Sequence, residues 1–132
     1  MKKSTEGWLV YAKSDLRAAK TLIENCDELN NIIVFHCQQC CEKCLKAIME
    51  NADIRIPKVH SLERLYAEIA TALQADIDFD EEFLNFMDDI YISARYPSDL
   101  GLLPTVMPTK EETLRILSKT ESLYHSTLKV IN

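Results

Sequence analysis

The stretch that decides the fold is residues 31–51, NIIVFHCQQCCEKCLKAIMEN, the most apolar helical pattern in the chain. On a helix with 100° per residue, its four cysteines fall on one stripe together with aliphatic neighbours. The opposite side of the helix carries Gln39, Glu42, Lys43, Lys46 and Glu50. The pattern therefore predicts a helix from about Asn31 to Asn51 that buries its cysteine stripe and turns a mixed-charge side to solvent.

The cysteine spacing needs an explanation of its own, because C-x-x-C pairs are also zinc signals. The four residues are Cys37, Cys40, Cys41 and Cys44. Zinc knuckles place a turn between the cysteines, whereas four sulfurs along two turns of a straight helix do not converge on one ion. Free cysteine packs as a small hydrophobe. We expect packing, no metal and no cofactor; the alternative is a thiol-based metal or redox module.

The remainder of the chain continues the helical pattern. A first helix is predicted from Ser4 to about Asn25, and a third begins after Ser61, a plausible N-cap. The inner face of the third helix is predicted to hold Leu62, Leu65, Tyr66, Ile69 and Leu73. A fourth helix follows the acidic stretch Asp76–Glu82; it carries Phe83, Phe86, Met87, Ile90, Tyr91 and Ala94 and ends at Arg95 or Tyr96. Thr109 and Glu112 fit a capping box that opens a fifth helix.

Bulk properties narrow the class of protein. A chain of 132 residues is expected to form one domain. The low number of glycines, two in all, argues against β-sheets and glycine-rich phosphate loops. Long amphipathic helices with short links predict an all-α, up-and-down bundle of four to five helices. The net charge of −6 does not provide the overall positive charge that favours nucleic-acid binding. No apolar run reaches the ~20 residues of a membrane span and no signal peptide begins the chain, so we expect a cytoplasmic protein without membrane contact.

The segment Ser93-Ala94-Arg95-Tyr96-Pro97 ends the fourth helix, because proline disfavours helical geometry at the residue before it. The Arg95 guanidinium has a structural use, pairing with the last carbonyls of the helix. It also has a functional use, because its planar fork binds phosphate or carboxylate in bidentate fashion. Position alone favours the structural use.

Four segments, taken in order, resemble the HEPN family (higher eukaryotes and prokaryotes nucleotide-binding domain). The first is Trp8, Ala12, Asp15-Leu16 and Ala19; the second is residues 35–47, FHCQQCCEKCLKA. The others are Lys58-Val59-His60-Ser61-Leu62 and the Arg95-Tyr96-Pro97 segment. The resemblance covers residues 4 to 130 and implies a helical bundle that forms homodimers. It also implies an association with a minimal nucleotidyltransferase, in pairs that act as toxin and antitoxin.

The resemblance implies that toxic members of the family are metal-independent ribonucleases that use an arginine and a histidine separated by four to six intervening residues. After Arg95 the corresponding positions hold Leu100, Gly101 and Leu102. Arginine stabilises phosphate charge but does not exchange protons near neutral pH. We therefore expect no catalytic residues.

Our leading hypothesis is a non-catalytic HEPN-type domain that binds a nucleotidyltransferase partner and a nucleotide or RNA. The residues expected to bind nucleotide or partner are Arg95, Lys46, Tyr96, Asp99, Glu42 and Tyr91. The alternative is a ribonuclease toxin with a substitute base, Asp99 or His60. We expect His36 to be packed or hydrogen-bonded, His125 to lie on the surface, and His60 to have a local role at the start of the third helix.

Overall fold

Five α-helices fill most of the computed structural model, which describes residues 1–26, 28–74, 77–95 and 107–132. They are α1 (Lys3–Asn25), α2 (Asn30–Asn51), α3 (Leu62–Leu73), α4 (Glu81–Arg95) and α5 (Lys110–Ile131). Those residues contain no β-strand, and none of their helices is long and apolar enough to cross a membrane. The predicted all-α helical bundle is confirmed, with helix boundaries within about two residues of those expected from the sequence.

Helix α2 is the centre of the bundle, because α1, α3, α4 and α5 all pack against it. Its four cysteines are completely buried, as the packing interpretation predicted. The Cys41 thiol lies 3.9 Å from the Thr120 hydroxyl of α5. Burial raises the pKa of Cys37 to about 12 and that of Cys41 well above its ordinary value. These thiols are therefore neutral, and they serve as small apolar side chains in the core.

One residue predicted to face the core is exposed instead. Leu73, which is 36% exposed, is the last residue of α3; Gln74 follows with a left-handed backbone (φ 50°) and ends the helix there. On α4, Phe83 and Met87 are buried, whereas Phe86 is 43% exposed and lines a groove between α4 and α5. Tyr91 and Ala94 belong to the end of α4, where the structure describes the backbone alone.

The helix starts follow the local chemistry of their caps. Thr109 and Glu112 form the predicted capping box at the start of α5. Ser61 caps α3, and its hydroxyl oxygen accepts a hydrogen bond from the backbone N–H of Arg64 at 3.2 Å. Both caps were predicted from sequence and are confirmed.

Asp88 on α4 gives α3 a second cap, one that sequence reasoning did not predict. Its carboxylate accepts hydrogen bonds from the backbone N–H groups of Leu62 (2.7 Å) and Glu63 (3.1 Å). It also accepts one from the Ser61 hydroxyl at 3.0 Å. A carboxylate at a helix N-terminus satisfies unpaired donors and complements the helix dipole. Asp88 thereby fixes where α3 begins relative to α4.

Replacing Asp88 should therefore destabilise the fold. We expect Asp88→Ala to lower the free energy of unfolding by about 1–3 kcal/mol, because the first turn of α3 loses its charged acceptor. Urea unfolding followed by circular dichroism measures this loss. Asp78→Ala is the control, since Asp78 is an exposed carboxylate outside the helices. Equal stability of the two variants would show that the cap contributes nothing.

Candidate functional site

The polar side of α2 was predicted to face solvent, but Glu42 and Lys46 on it are buried, while Gln39, Lys43 and Glu50 are half-buried. Gln38 is 1% exposed, Glu42 5% and Lys46 9%. The connection between α2 and α3 returns along this side, so that the backbone carbonyl of His60 accepts a hydrogen bond from the Gln38 amide at 3.4 Å. The two predicted binding residues that the structure describes in full, Glu42 and Lys46, therefore lie beneath this connection.

Glu42 is the hub of this buried polar cluster, which we call the Glu42 network: Gln38, Glu42, Lys46 and His60. The Lys46 ammonium lies 3.1 Å from one Glu42 carboxylate oxygen, and Nδ1 of His60 lies 3.2 Å from the other. The Gln38 amide is 3.5 Å from the carboxylate. The ammonium also lies 5.6 Å from the centre of the Trp8 ring on α1. These contacts balance the cost of burying the charges.

A second carboxylate on the neighbouring helix repeats this arrangement. Asp15 of α1 lies 2.9 Å from Nδ1 of His36 and 2.5 Å from the Lys43 ammonium. Lys43 in turn lies 5.8 Å from the centre of the Tyr11 ring. His36 is thus hydrogen-bonded, as predicted. Each of the two carboxylates is shared by one lysine and one histidine along the same side of α2.

His60 has a contact beyond the local role expected for it at the start of α3. Its ring contacts Glu42 in the middle of α2, a long-range contact that the sequence did not predict. Its side chain is nevertheless 66% exposed, while that of Glu42 is 7% exposed. A buried carboxylate that holds a histidine through Nδ1 is the arrangement that orients imidazoles for proton transfer. His125 is exposed on α5, as expected.

Helix α4 ends two turns beyond the residue that caps α3. Helices α3 and α4 run antiparallel, since Leu62 meets Asp88 while Tyr66 and Ala67 share a cleft with Glu81 and Leu84. Seven residues of helix carry α4 about 10 Å beyond Asp88, past the start of α3. The backbone of Arg95 is located there.

The other predicted site residues are not positioned by the structure. Tyr91 lies on α4, where only the backbone is described, and Tyr96 and Asp99 lie outside the described residues. Their predicted binding roles, like those of Arg95, Glu42 and Lys46, stay predictions. Within the described ranges, no group of three or more metal-binding side chains is arranged to hold an ion.

The fold and the site define a helical-bundle domain built around one enclosed helix with a buried acidic hub. The HEPN domain model matches residues 5–131. The chain therefore belongs to the HEPN family, as its sequence motifs suggested.

Two solved structures share this fold. The crystal structure of an archaeal HEPN homologue is similar over 100% of both chains, at 20% identity and a TM-score of 0.72. TT1696 from Thermus thermophilus is similar over 98% of this chain and 99% of its own, at 22% identity and a TM-score of 0.75. No curated protein matches the chain significantly.

Sequence reasoning missed Gln38 and the bond between His60 and Glu42. One signal was present, because a helix with four cysteines and several aliphatic residues has apolar positions over more than half of its circumference. Such a helix is enclosed by its neighbours, and charges on it are then paired inside the protein. No comparable pattern in the sequence indicated that His60, in the connection between α2 and α3, would contact Glu42.

A double-mutant cycle should measure the coupling energy between Glu42 and Lys46. We expect Glu42→Ala to lower the free energy of unfolding by about 3 kcal/mol, because the Lys46 ammonium stays buried without its counter-ion. Adding Lys46→Met should recover most of that loss, since neither charge is then buried. Urea unfolding measures all variants, with the exposed Glu24→Ala on α1 as control. Additive losses in the double variant would refute the coupling.

Proposed function

We propose that this chain is a non-catalytic HEPN-type domain that acts as the partner of a minimal nucleotidyltransferase in a toxin–antitoxin-like pair. The observation that carries the proposal is the sequence after Arg95. Where toxic relatives place a histidine, this chain has Leu100, Gly101 and Leu102. An arginine without that histidine recognises an anion but does not transfer the protons that RNA cleavage requires.

The binding role rests on the position of Arg95. It is the last residue of α4, about 10 Å beyond the Asp88 cap at the start of α3. Glu42 and Lys46 neutralise each other at 3.1 Å and are buried, so they support this region by holding the connection in place. In the proposal Arg95 contacts the phosphate of a nucleotide or RNA, with Tyr91, Tyr96 and Asp99 as neighbouring contacts. The functional unit is a cytoplasmic homodimer.

The partner and the nucleotide are tested with separate measurements. The chain should co-purify with the nucleotidyltransferase encoded beside its gene and elute with it as one complex. It should leave RNA uncleaved in the presence of a chelator. Calorimetric titration with ATP should show binding that weakens about tenfold or more in Arg95→Ala, because a charge-assisted phosphate contact is lost. Arg17→Ala, a cation on the exposed side of α1, is the control.

Each part of the proposal would be refuted by a different result. Separate elution of the two proteins would refute the partner. RNA cleavage that disappears in Arg95→Ala would refute the non-catalytic role. ATP binding that is unchanged in Arg95→Ala would remove Arg95 from the site.

A second candidate function, a ribonuclease with a substitute base, is favoured by the contact between His60 and Glu42. His60 is held through Nδ1 at 3.2 Å and has an exposed side chain, as a general base requires. In such a reaction the 2′-hydroxyl of RNA gives its proton to the imidazole and its oxygen bonds to phosphorus. The bond from phosphorus to the 5′ oxygen breaks, that oxygen takes up a proton, and a 2′,3′-cyclic phosphate remains.

This alternative predicts a defined loss of activity. If the purified chain cleaves RNA in chelator, His60→Ala should reduce the rate about 100-fold or more, since general bases contribute on this scale. His125→Ala, a second exposed histidine, should keep full activity. Equal rates for the two variants, or no cleavage by the wild type, would exclude His60 as the base.

A further inference from the structure

The connection between α2 and α3, residues 52–61, carries a short run of positive charge. Residues 54–62 contain Arg55, Lys58 and His60 and no aspartate or glutamate. A chain with a net charge of −6 attracts a polyanion only through such a local patch. Arg55 and Lys58 are exposed, and neither forms an ion pair or a side-chain hydrogen bond with any residue that the structure describes. Both cations are therefore available to a ligand.

The connection holds these two cations on an ordered backbone. After α2 the chain turns at Asp53, which has a left-handed backbone (φ 58°). Three aliphatic side chains then pack against the core: Ile54, Ile56 and Val59. At the far end His60 is held by Glu42, whose charge Lys46 balances at 3.1 Å. A surface that is ordered before binding loses little conformational entropy when a ligand arrives.

The carboxylates that lie nearest to the run in sequence are already offset. Asp53 is paired with the ammonium of Lys2. Glu63 is exposed at the start of α3 and is followed by the exposed Arg64, so these two residues add no net charge. Asp88, which approaches from α4, is occupied by the backbone N–H groups at the start of α3. The connection thus keeps a net positive charge.

The make-up of this surface favours a nucleic acid over a protein partner. No large apolar side chain between residues 36 and 72, all of which the structure describes, is exposed. A protein interface needs apolar or aromatic anchors at its centre, whereas nucleic acids are held by arginine and lysine at their phosphates. The Cα atoms of Arg55 and Lys58 lie at most about 11 Å apart, because three residues of chain span no more. Both side chains can then contact phosphates of one strand.

We propose that the connection binds the phosphate backbone of single-stranded RNA through Arg55 and Lys58. This deepens the function proposed above and rests on its nucleotide or RNA binding. The connection offers one row of cations, which suits one strand, whereas a duplex presents phosphates on both sides of a groove. The contacts are made to phosphate, so they confer no preference for a base.

Fluorescence anisotropy with a labelled oligouridylate, on the full chain in chelator, tests this surface. The double variant Arg55→Ala/Lys58→Ala should weaken the Kd about tenfold or more, because two charge-assisted phosphate contacts are lost. The slope of log K against log salt should become shallower by about 0.7 for each lost contact. The matched control, Lys13→Ala/Arg17→Ala, removes one lysine and one arginine from the exposed side of α1 and should leave the Kd unchanged.

The outcomes separate this inference from the proposed function. If the chain binds ATP through Arg95 but does not bind oligouridylate, the RNA surface is overturned and the proposed function stands. If it binds neither ligand, the proposed nucleotide binding is overturned, and the surface with it. If both double variants bind as the wild type does, or weaken equally, the connection is not the site.

Competition distinguishes RNA from an acidic protein. Unlabelled oligouridylate should displace the labelled strand, and polyglutamate of matched charge should displace it poorly. Equal competition by polyglutamate would show that the surface takes any polyanion, and the assignment to RNA would be wrong. Circular dichroism verifies that each variant is folded.

Discussion

The enclosure of α2 is the constraint on which the rest of the structure depends. With four helices and a connection packed around it, this helix buries even the charged side chains of Glu42 and Lys46. Glu42 and Lys46 are therefore paired within the protein, and Gln38 completes the cluster. The pairing draws His60 to the middle of α2, and that contact helps to set where the chain turns into α3. Asp88 then fixes the same turn from the side of α4.

The enclosure of α2 also limits which side chains are available to bind a ligand. The two buried or half-buried carboxylates, Asp15 and Glu42, are each shared by a lysine and a histidine, so most of their charge is already balanced. Their main effect is to hold side chains in place. The residues that we propose to contact a ligand or a partner lie elsewhere, at the end of α4 and on the connection between α2 and α3.

Much of the fold could be predicted from the sequence because local patterns determine it. The cysteine stripe, the Ser61 cap and the capping box at Thr109 each depend on residues three or four positions apart. The site was harder to predict, because its contacts join residues far apart in sequence. Glu42 meets a residue 18 positions away, and Asp88 caps a helix that begins 26 positions before it. No periodicity encodes how the connection folds back over α2, and the charges were therefore expected to face solvent.

The four buried thiols have one more consequence. Their complete burial means that a thiol reagent does not reach them in the closed bundle. We expect them to react only when α2 loses contact with its neighbours. Their modification rate, measured apart from that of the half-buried Cys26, then counts the openings of the core. The chain thus carries natural chemical probes at its centre. They can report whether a bound nucleotide or partner makes the bundle open less often, without any added label.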